Sequence, residues 1–113
     1  MGDECWPVQA ATGDIETAYQ AVGPTGLIVE SMVLFDRELS IIAVRSRQGE
    51  IRYYPLVENV HRGGILRMST APIVDVRGTL ESAARSLAQK LVNRLDYVGV
   101  LALELFVDDR DGG

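Results

Sequence analysis

Glu104 is the residue whose position most strongly suggests chemistry. It lies in the apolar segment Val98–Val107, which has the β-branched and aromatic content of a strand. Because side chains alternate along a strand, Glu104 should share a face with apolar neighbours such as Phe106, where an unpaired carboxylate is costly to bury. A magnesium ion bound together with nucleotide phosphates would be one suitable partner, and an arginine such as Arg45 or Arg67 would be another. Residue types alone leave both open.

A second candidate site extends from Glu30 to Glu38. The connecting stretch Ser31-Met32-Val33-Leu34-Phe35 is more apolar than a solvent-exposed loop usually is. Backbone groups of such a stretch can bind the edge of a nucleobase, while a carboxylate binds ribose hydroxyls. The alternative is that both carboxylates lie at exposed strand ends and that the apolar residues belong to the core, and residue types alone favour this structural interpretation.

His61 is the only histidine of the chain. A lone histidine is usually structural or simply exposed. Here, however, Glu58, Asn59, His61 and Arg62 place four polar side chains just before the glycine pair 63–64, and glycine lets a ligand approach the backbone closely. A binding role for His61 therefore stays open beside the structural one.

Composition argues against several classes of function. The net charge is −5, and the basic residues are interspersed with apolar and acidic ones, so nucleic acid is an unexpected partner. Cys5 is the only cysteine, which excludes an internal disulfide and fits a cytoplasmic protein. No segment has the length of a membrane span or the pattern of a secretion signal, so we expect a soluble protein without a membrane partner. No Walker, nucleophile-elbow or zinc motif is present.

Hydrophobic periodicity predicts the elements that must position these residues. The strand at Arg37–Ser46 and the segment Ile51–Val60 should pair as an antiparallel hairpin around Gly49. The other predicted elements are a helix at Asp14–Val22, short strands at Leu27–Val29 and Ile65–Ser69, a helix at Thr79–Leu95 and the final strand Val98–Val107. This order predicts an α+β fold in which helices pack on one face of a mostly antiparallel sheet.

Both predicted helices are amphipathic, and each should cover the sheet with its apolar side. The face expected to be buried in the first helix consists of Ile15, Ala18, Tyr19 and Val22. The corresponding face of the second helix consists of Leu80, Ala83, Ala84, Leu87, Leu91 and Leu95.

The segment Tyr54–Arg67, with the sequence YPLVENVHRGGILR, closely resembles the central signature of the ATP-grasp ligases that form N5-carboxyaminoimidazole ribonucleotide. It is preceded by Leu27–Arg45, which resembles the strand pair of that family's adenine hinge. It is followed by Leu95–Phe106, which resembles the family's first metal-carboxylate strand. The similarity covers roughly residues 25–107.

This resemblance implies an ATP-grasp-like fold and a ligase that uses ATP and bicarbonate to carboxylate 5-aminoimidazole ribonucleotide, with Mg²⁺ at the phosphates. Transferred to the matching positions, Glu38 corresponds to the ribose-binding acid, His61 to a nucleotide-proximal histidine and Glu104 to a magnesium ligand. The adenine-contacting hinge corresponds to Glu30, Ser31, Met32 and Val33.

The resemblance also implies that residues 1–113 are only part of an ATP-grasp domain. The family's lysine-bearing lobe, second metal carboxylate and substrate-binding segment have no counterpart here, so we expect no catalysis by this chain alone. The alternative is a non-catalytic module for dimerisation or partner binding. The strand Val98–Val107 lacks its following partner, so we expect the chain to self-associate or to be poorly stable. Gly63 stands where the family usually has aspartate, a difference expected to loosen that turn.

Overall fold

The structure, a computed structural model, describes residues 14–22, 26, 28 and 30–111. In chain order its elements are α1 (Asp14–Val22), β1 (Arg37–Arg45), β2 (Ile51–Tyr53), β3 (Val57–Arg62), β4 (Ile65–Thr70), α2 (Leu80–Arg94), β5 (Gly99–Val107) and a 3-10 helix (Asp109–Asp111). Neither α-helix of these residues combines the length and the apolar composition that a membrane-spanning helix requires.

The chain divides into two compact units, and the first comprises residues 1–33. Its helix α1 has the predicted bounds. Ala18 is buried as its periodicity predicts, whereas Ile15 and Tyr19 are 60% and 49% exposed. The strand predicted at residues 27–29 falls largely outside the described residues.

The second unit, residues 34–113, is built on an antiparallel sheet of five strands. Strand β1 is central: β5 pairs with its whole length on one side, while β2 and β3 pair with its two ends on the other. Strand β4 extends the sheet from β3. The mixed α+β architecture with a mostly antiparallel sheet is thus the one that the sequence predicts.

One predicted strand is divided in two. The sequence predicts a single strand from Ile51 to Val60, but Tyr54, Pro55 and Leu56 separate β2 from β3. Proline has no backbone N–H to donate to a ladder, so the pairing is interrupted there. The interruption nevertheless stays beside β1, since Tyr54 N donates to a β1 carbonyl at 2.9 Å and the Leu56 side chain is buried in the core.

The alternation of side chains gives the sheet two different faces. One face packs against α2 and forms the core, and we call it the helix face. The opposite face, here called the far face, carries the side chains that alternate with the core residues of β1 and β5. The buried core residues are Leu39, Ile41, Ala43, Leu56, Ala84, Ala88, Val92 and Val107.

The buried stripe of α2 differs from the predicted one. Ala84 is buried as expected, but the other buried positions are Ala88 and Val92, which the prediction omitted. Leu87 and Leu95 of the predicted stripe are 50% and 59% exposed. The buried residues repeat strictly every four positions, and small side chains at two of them let the helix lie close to the sheet, which turns the larger leucines toward the rim of the contact.

The N-terminus of α2 is capped by a residue outside the predicted helix. Thr79, at the N-cap position, makes no side-chain cap hydrogen bond. Instead, Asp75 Oδ2 accepts from Leu80 N at 3.0 Å and its Oδ1 accepts from Gly78 N at 2.9 Å. One carboxylate therefore satisfies backbone donors of both the preceding turn and the first helical turn.

We therefore expect Asp75→Ala to lower the free energy of unfolding by about 1–2 kcal/mol, because it removes a charged cap. The matched substitution Thr79→Ala removes a side chain without a capping bond and should cost less than about 0.5 kcal/mol. Urea denaturation of the two variants measures this difference. Equal losses would contradict the assignment of the cap to Asp75.

The turn between β3 and β4 explains the glycine pair. Gly63 and Gly64 have φ angles of 60° and 75°, and both are central residues of a two-residue hairpin connection. Positive φ at both central positions is the requirement of a type I′ turn, which glycine meets without strain. Gly63 therefore suits this tight turn, and the loosening expected from the missing aspartate stays a prediction.

Candidate functional site

Three of the predicted site residues lie on the far face of the sheet. Glu38 lies on β1, and His61 Nδ1 is 2.6 Å from its Oε2. Glu104 lies on β5, directly opposite Ser40 of β1. Glu38 and Ser40 are two positions apart on one strand, so Glu38 and Glu104 are diagonal neighbours on the same face.

Glu104 is exposed, so the expected burial cost does not arise. Within the described residues it forms no ion pair. Arg45, one of its two suggested partners, instead binds Asp96 Oδ1 at 3.1 Å and Tyr97 O at 3.1 Å. The other, Arg67, takes part in none of these ion pairs. The carboxylate of Glu104 therefore remains available on the far face.

A row of polar side chains crosses three strands next to Glu104, and the sequence analysis missed it. Ser69 Oγ on β4 donates to Asn59 Oδ1 on β3 at 2.8 Å. Asn59 Nδ2 in turn donates to Ser40 Oγ on β1. The signal was strand parity: Ser40 lies two residues after Glu38, and Asn59 lies two residues before His61.

An aromatic pair lies at the end of the same face. The rings of Phe35 and Phe106 are stacked with 4.3 Å between their centroids and 12° between their planes. Both remain partly exposed, at 43% and 55%, and Phe106 lies directly opposite Glu38 in the ladder. Such an arrangement can bind a ligand with two parts: a flat ring that packs on the aromatic surface, and hydroxyl groups that donate to the carboxylate.

The predicted hinge residues Glu30, Ser31, Met32 and Val33 lie outside helices and strands, and all four are exposed. They belong to the first compact unit, whereas the far face belongs to the second. The structural interpretation, in which this apolar stretch is core, is wrong for Met32 and Val33, which are 62% and 51% exposed.

The polar cluster before the glycine pair is distributed over both faces. Glu58 is bound to Arg37 on the helix face, whereas Asn59 and His61 lie on the far face.

A cleft of about 390 Å³ also opens on the helix side, near Arg37, Glu58 and Asp75. Arg37 and Glu58 already bind each other, Arg37 also donates to Val74 O, and Asp75 caps α2. This cleft is therefore a weaker candidate than the far face, despite its volume.

The donors on the far face fit part of a magnesium–nucleotide site. Mg²⁺ is commonly bound through one or two carboxylates together with substrate phosphates and water, and Glu104 offers one accessible carboxylate. Within the described residues no group of three His, Cys, Asp or Glu side chains is arranged to hold a metal by itself. A metal at Glu104 would therefore need phosphate oxygens or further ligands.

Comparison with known proteins identifies the family. A model of the ATP-grasp domain matches residues 7–111, which is nearly the whole chain. The chain belongs to the ATP-grasp family. Among curated proteins, the N5-carboxyaminoimidazole ribonucleotide synthase of Brucella melitensis is 49% identical over 90 residues, covering 80% of this chain and 25% of the relative.

Solved structures give the same picture of this ATP-grasp chain. The crystal structure of N5-carboxyaminoimidazole ribonucleotide synthetase from Thermus thermophilus matches with a TM-score of 0.78 and 49% identity, over 87% of this chain and 27% of that one. The Staphylococcus aureus synthetase complexed with ADP matches with a TM-score of 0.63 and 26% identity, over 72% of this chain and 21% of that one. The chain thus spans about a quarter of the length of its relatives.

Proposed function

We propose that this chain is the central part of an ATP-dependent ligase that carboxylates 5-aminoimidazole ribonucleotide with bicarbonate, and that it supplies part of the Mg-ATP site. The support is the family membership, together with relatives named for this synthase. The observation that carries the proposal is that Glu38, His61 and Glu104 lie together on one face of the sheet.

In this proposal each residue of the far face has a distinct task. Glu38 accepts hydrogen bonds from the ribose hydroxyls, and its contact with His61 at 2.6 Å holds it in place. Glu104 binds Mg²⁺, which neutralises charge on the phosphates when bound. Phe106 offers an aromatic surface for the base.

Because the chain spans a quarter of its relatives' length, we expect it to bind Mg-ATP weakly and to show no carboxylase turnover alone. Titration of the ¹⁵N-labelled chain with Mg-ATP should shift amide resonances of the far face, including those of Glu38, His61 and Glu104. Resonances at the exposed side of α2 should stay unchanged. The proposal would be contradicted by shifts confined to the helix side, or by the absence of any shift at nucleotide concentrations up to roughly 10 mM, where even weak binding is detectable.

A matched pair of variants makes this prediction quantitative. Glu38→Gln removes the proposed ribose acceptor charge and should weaken nucleotide affinity about tenfold, the effect of losing a charged hydrogen bond. Glu50→Gln makes the same chemical change at an exposed residue that pairs with Arg52 and should leave the affinity unchanged. Equal effects would show that the charge acts non-specifically.

One observation favours a second function, a dimerisation module. The Ile42 carbonyl accepts from Tyr54 N on the β2 side at 2.9 Å, so the pair Ile42–Ala102 toward β5 is not hydrogen-bonded. Even-numbered residues of β5 therefore direct their backbone groups away from β1. Within the described residues no strand pairs with that outer edge, although the Tyr97 hydroxyl donates to the Val100 carbonyl at 2.8 Å. An unpaired edge of this kind can pair with a second copy.

A further inference from the structure

The polar row on the far face has a direction. Ser69 donates to Asn59 through its hydroxyl, at 2.8 Å, and Asn59 then donates to Ser40 through its amide. Each member thus donates a hydrogen bond to the next, from the edge strand β4 toward the central strand β1. The row ends at Ser40, whose oxygen is already occupied as an acceptor.

The last hydroxyl proton of the row is unused. A serine hydroxyl has one proton to donate and two lone pairs that accept, and the only hydrogen bond of the Ser40 side chain within the described residues is the one it accepts from Asn59. The side chain directly opposite on β5 is that of Glu104. An ionised carboxylate only accepts hydrogen bonds, so the two groups are complementary.

The backbone geometry brings these two side chains close. Ser40 and Glu104 face each other two positions along the ladder from the pair Ile42–Ala102, which is not hydrogen-bonded. Because the two kinds of pair alternate, Ser40–Glu104 is not hydrogen-bonded through the backbone either. In such pairs the Cα atoms are nearer and the side chains closer than in hydrogen-bonded pairs. Within the described residues no arginine forms an ion pair with the Glu104 carboxylate.

We propose that Ser40 is a positioning residue for Glu104: Asn59 occupies the Ser40 oxygen and thereby turns the hydroxyl proton toward the Glu104 carboxylate. The inference rests on the proposed role of Glu104 in Mg²⁺ binding. An exposed glutamate has several rotamers, and a hydrogen bond from Ser40 selects the one that faces the nucleotide. Residues that orient a metal ligand in this way commonly change metal affinity by about 10–100-fold when removed.

Two measurements test this inference on the 113-residue chain. The first is the ¹³Cδ resonance of Glu104 without metal or nucleotide, which reports the hydrogen bond alone. Ser40→Ala should shift it, and Ser40→Thr, which keeps a hydroxyl, should restore it. Asn59→Leu should shift it as Ser40→Ala does, because nothing then directs the hydroxyl.

The second measurement is the dissociation constant of ADP with and without Mg²⁺. Ser40→Ala should weaken Mg²⁺-dependent binding about tenfold, leave metal-free binding unchanged and keep the melting temperature near that of the original chain. Ser40→Thr should recover the affinity.

The outcomes separate the two proposals. An unchanged Glu104 resonance in Ser40→Ala overturns the positioning role, whatever the nucleotide result. So does an unchanged Mg²⁺-dependent affinity where the original chain binds. A shifted resonance in a chain that shows no Mg²⁺-dependent binding supports the Ser40–Glu104 hydrogen bond and rejects the proposed function of Glu104.

Discussion

Glu104→Gln should lower turnover by at least about two to three orders of magnitude in a polypeptide that extends this chain to the length of its relatives. In the proposed function, the Glu104 charge holds Mg²⁺ against the phosphates, and preorganised electrostatic groups of this kind contribute several kcal/mol in the transition state, from which the expected size follows. Glutamine keeps the shape of the side chain but has no charge, so the substitution isolates the electrostatic contribution.

The same substitution should hardly affect folding. Glu104 is exposed and forms no ion pair within the described residues, and such surface substitutions usually change stability by less than about 0.5 kcal/mol. Turnover and melting temperature should be measured side by side at saturating Mg²⁺, with Glu50→Gln as the matched control. A large drop in melting temperature with nearly normal turnover would contradict the assignment of Glu104 as a metal ligand.

The second large effect concerns self-association through β5. Among the described residues, the outer edge of this strand has unpaired backbone groups at Ala102, Glu104 and Phe106, and the strand is apolar apart from Glu104. Such an edge is a template for pairing with a second copy. We expect the chain to dimerise at micromolar concentrations and Ala102→Glu to raise the dimer dissociation constant at least about tenfold, through repulsion from Glu104 of the other copy.

Ala83→Glu provides the control, because it makes the same substitution at an exposed position of α2. It should leave the dissociation constant unchanged. Sedimentation equilibrium of the three proteins between about 10 and 500 μM, a range typical of weak association, decides the matter. A monomer at every concentration would remove the second candidate function and leave the nucleotide site as the sole proposal.

Hydrophobic periodicity and turn residues explain why much of the fold was predictable. The bounds of α1 and β1 follow from periodicity almost to the residue, and the β1–β2 turn at Gly49 has the positive φ of 88° that a turn glycine allows. The break at Pro55 was missed because the flanking residues are β-branched and aromatic on both sides, which outweighed one proline in the pattern.

The helix stripe shows a different limit. Leucine is the larger apolar residue, so periodicity assigned Leu87 and Leu95 to the core. The close approach of α2 to the sheet instead selected Ala88 and Val92, which fit the available space. The sequence shows which side of a helix is apolar. The width of the space between α2 and the sheet, however, depends on the β1 residues that face the helix.

The placement of the candidate residues on one face was predictable where residue type and strand parity agreed. Glu104 stands out as an acid in an apolar strand, Glu38 and His61 stand out by residue type and neighbours, and the resemblance adds their roles, which stay predictions. The polar row through Asn59 and Ser40 escaped because each member is an ordinary surface residue in sequence. Only the pairing of three strands makes these residues neighbours, and that pairing depends on the turns and on the register of β1.

The register of β1 also determines which changes in chain length the protein tolerates. One residue inserted between Arg37 and Arg45 would move every following side chain to the opposite face, exchanging Ile41 of the core with Ser40 or Ile42. Binding groups and core would be lost together. An insertion beside Gly49, in the exposed turn between β1 and β2, changes neither face, so natural length variation should concentrate there.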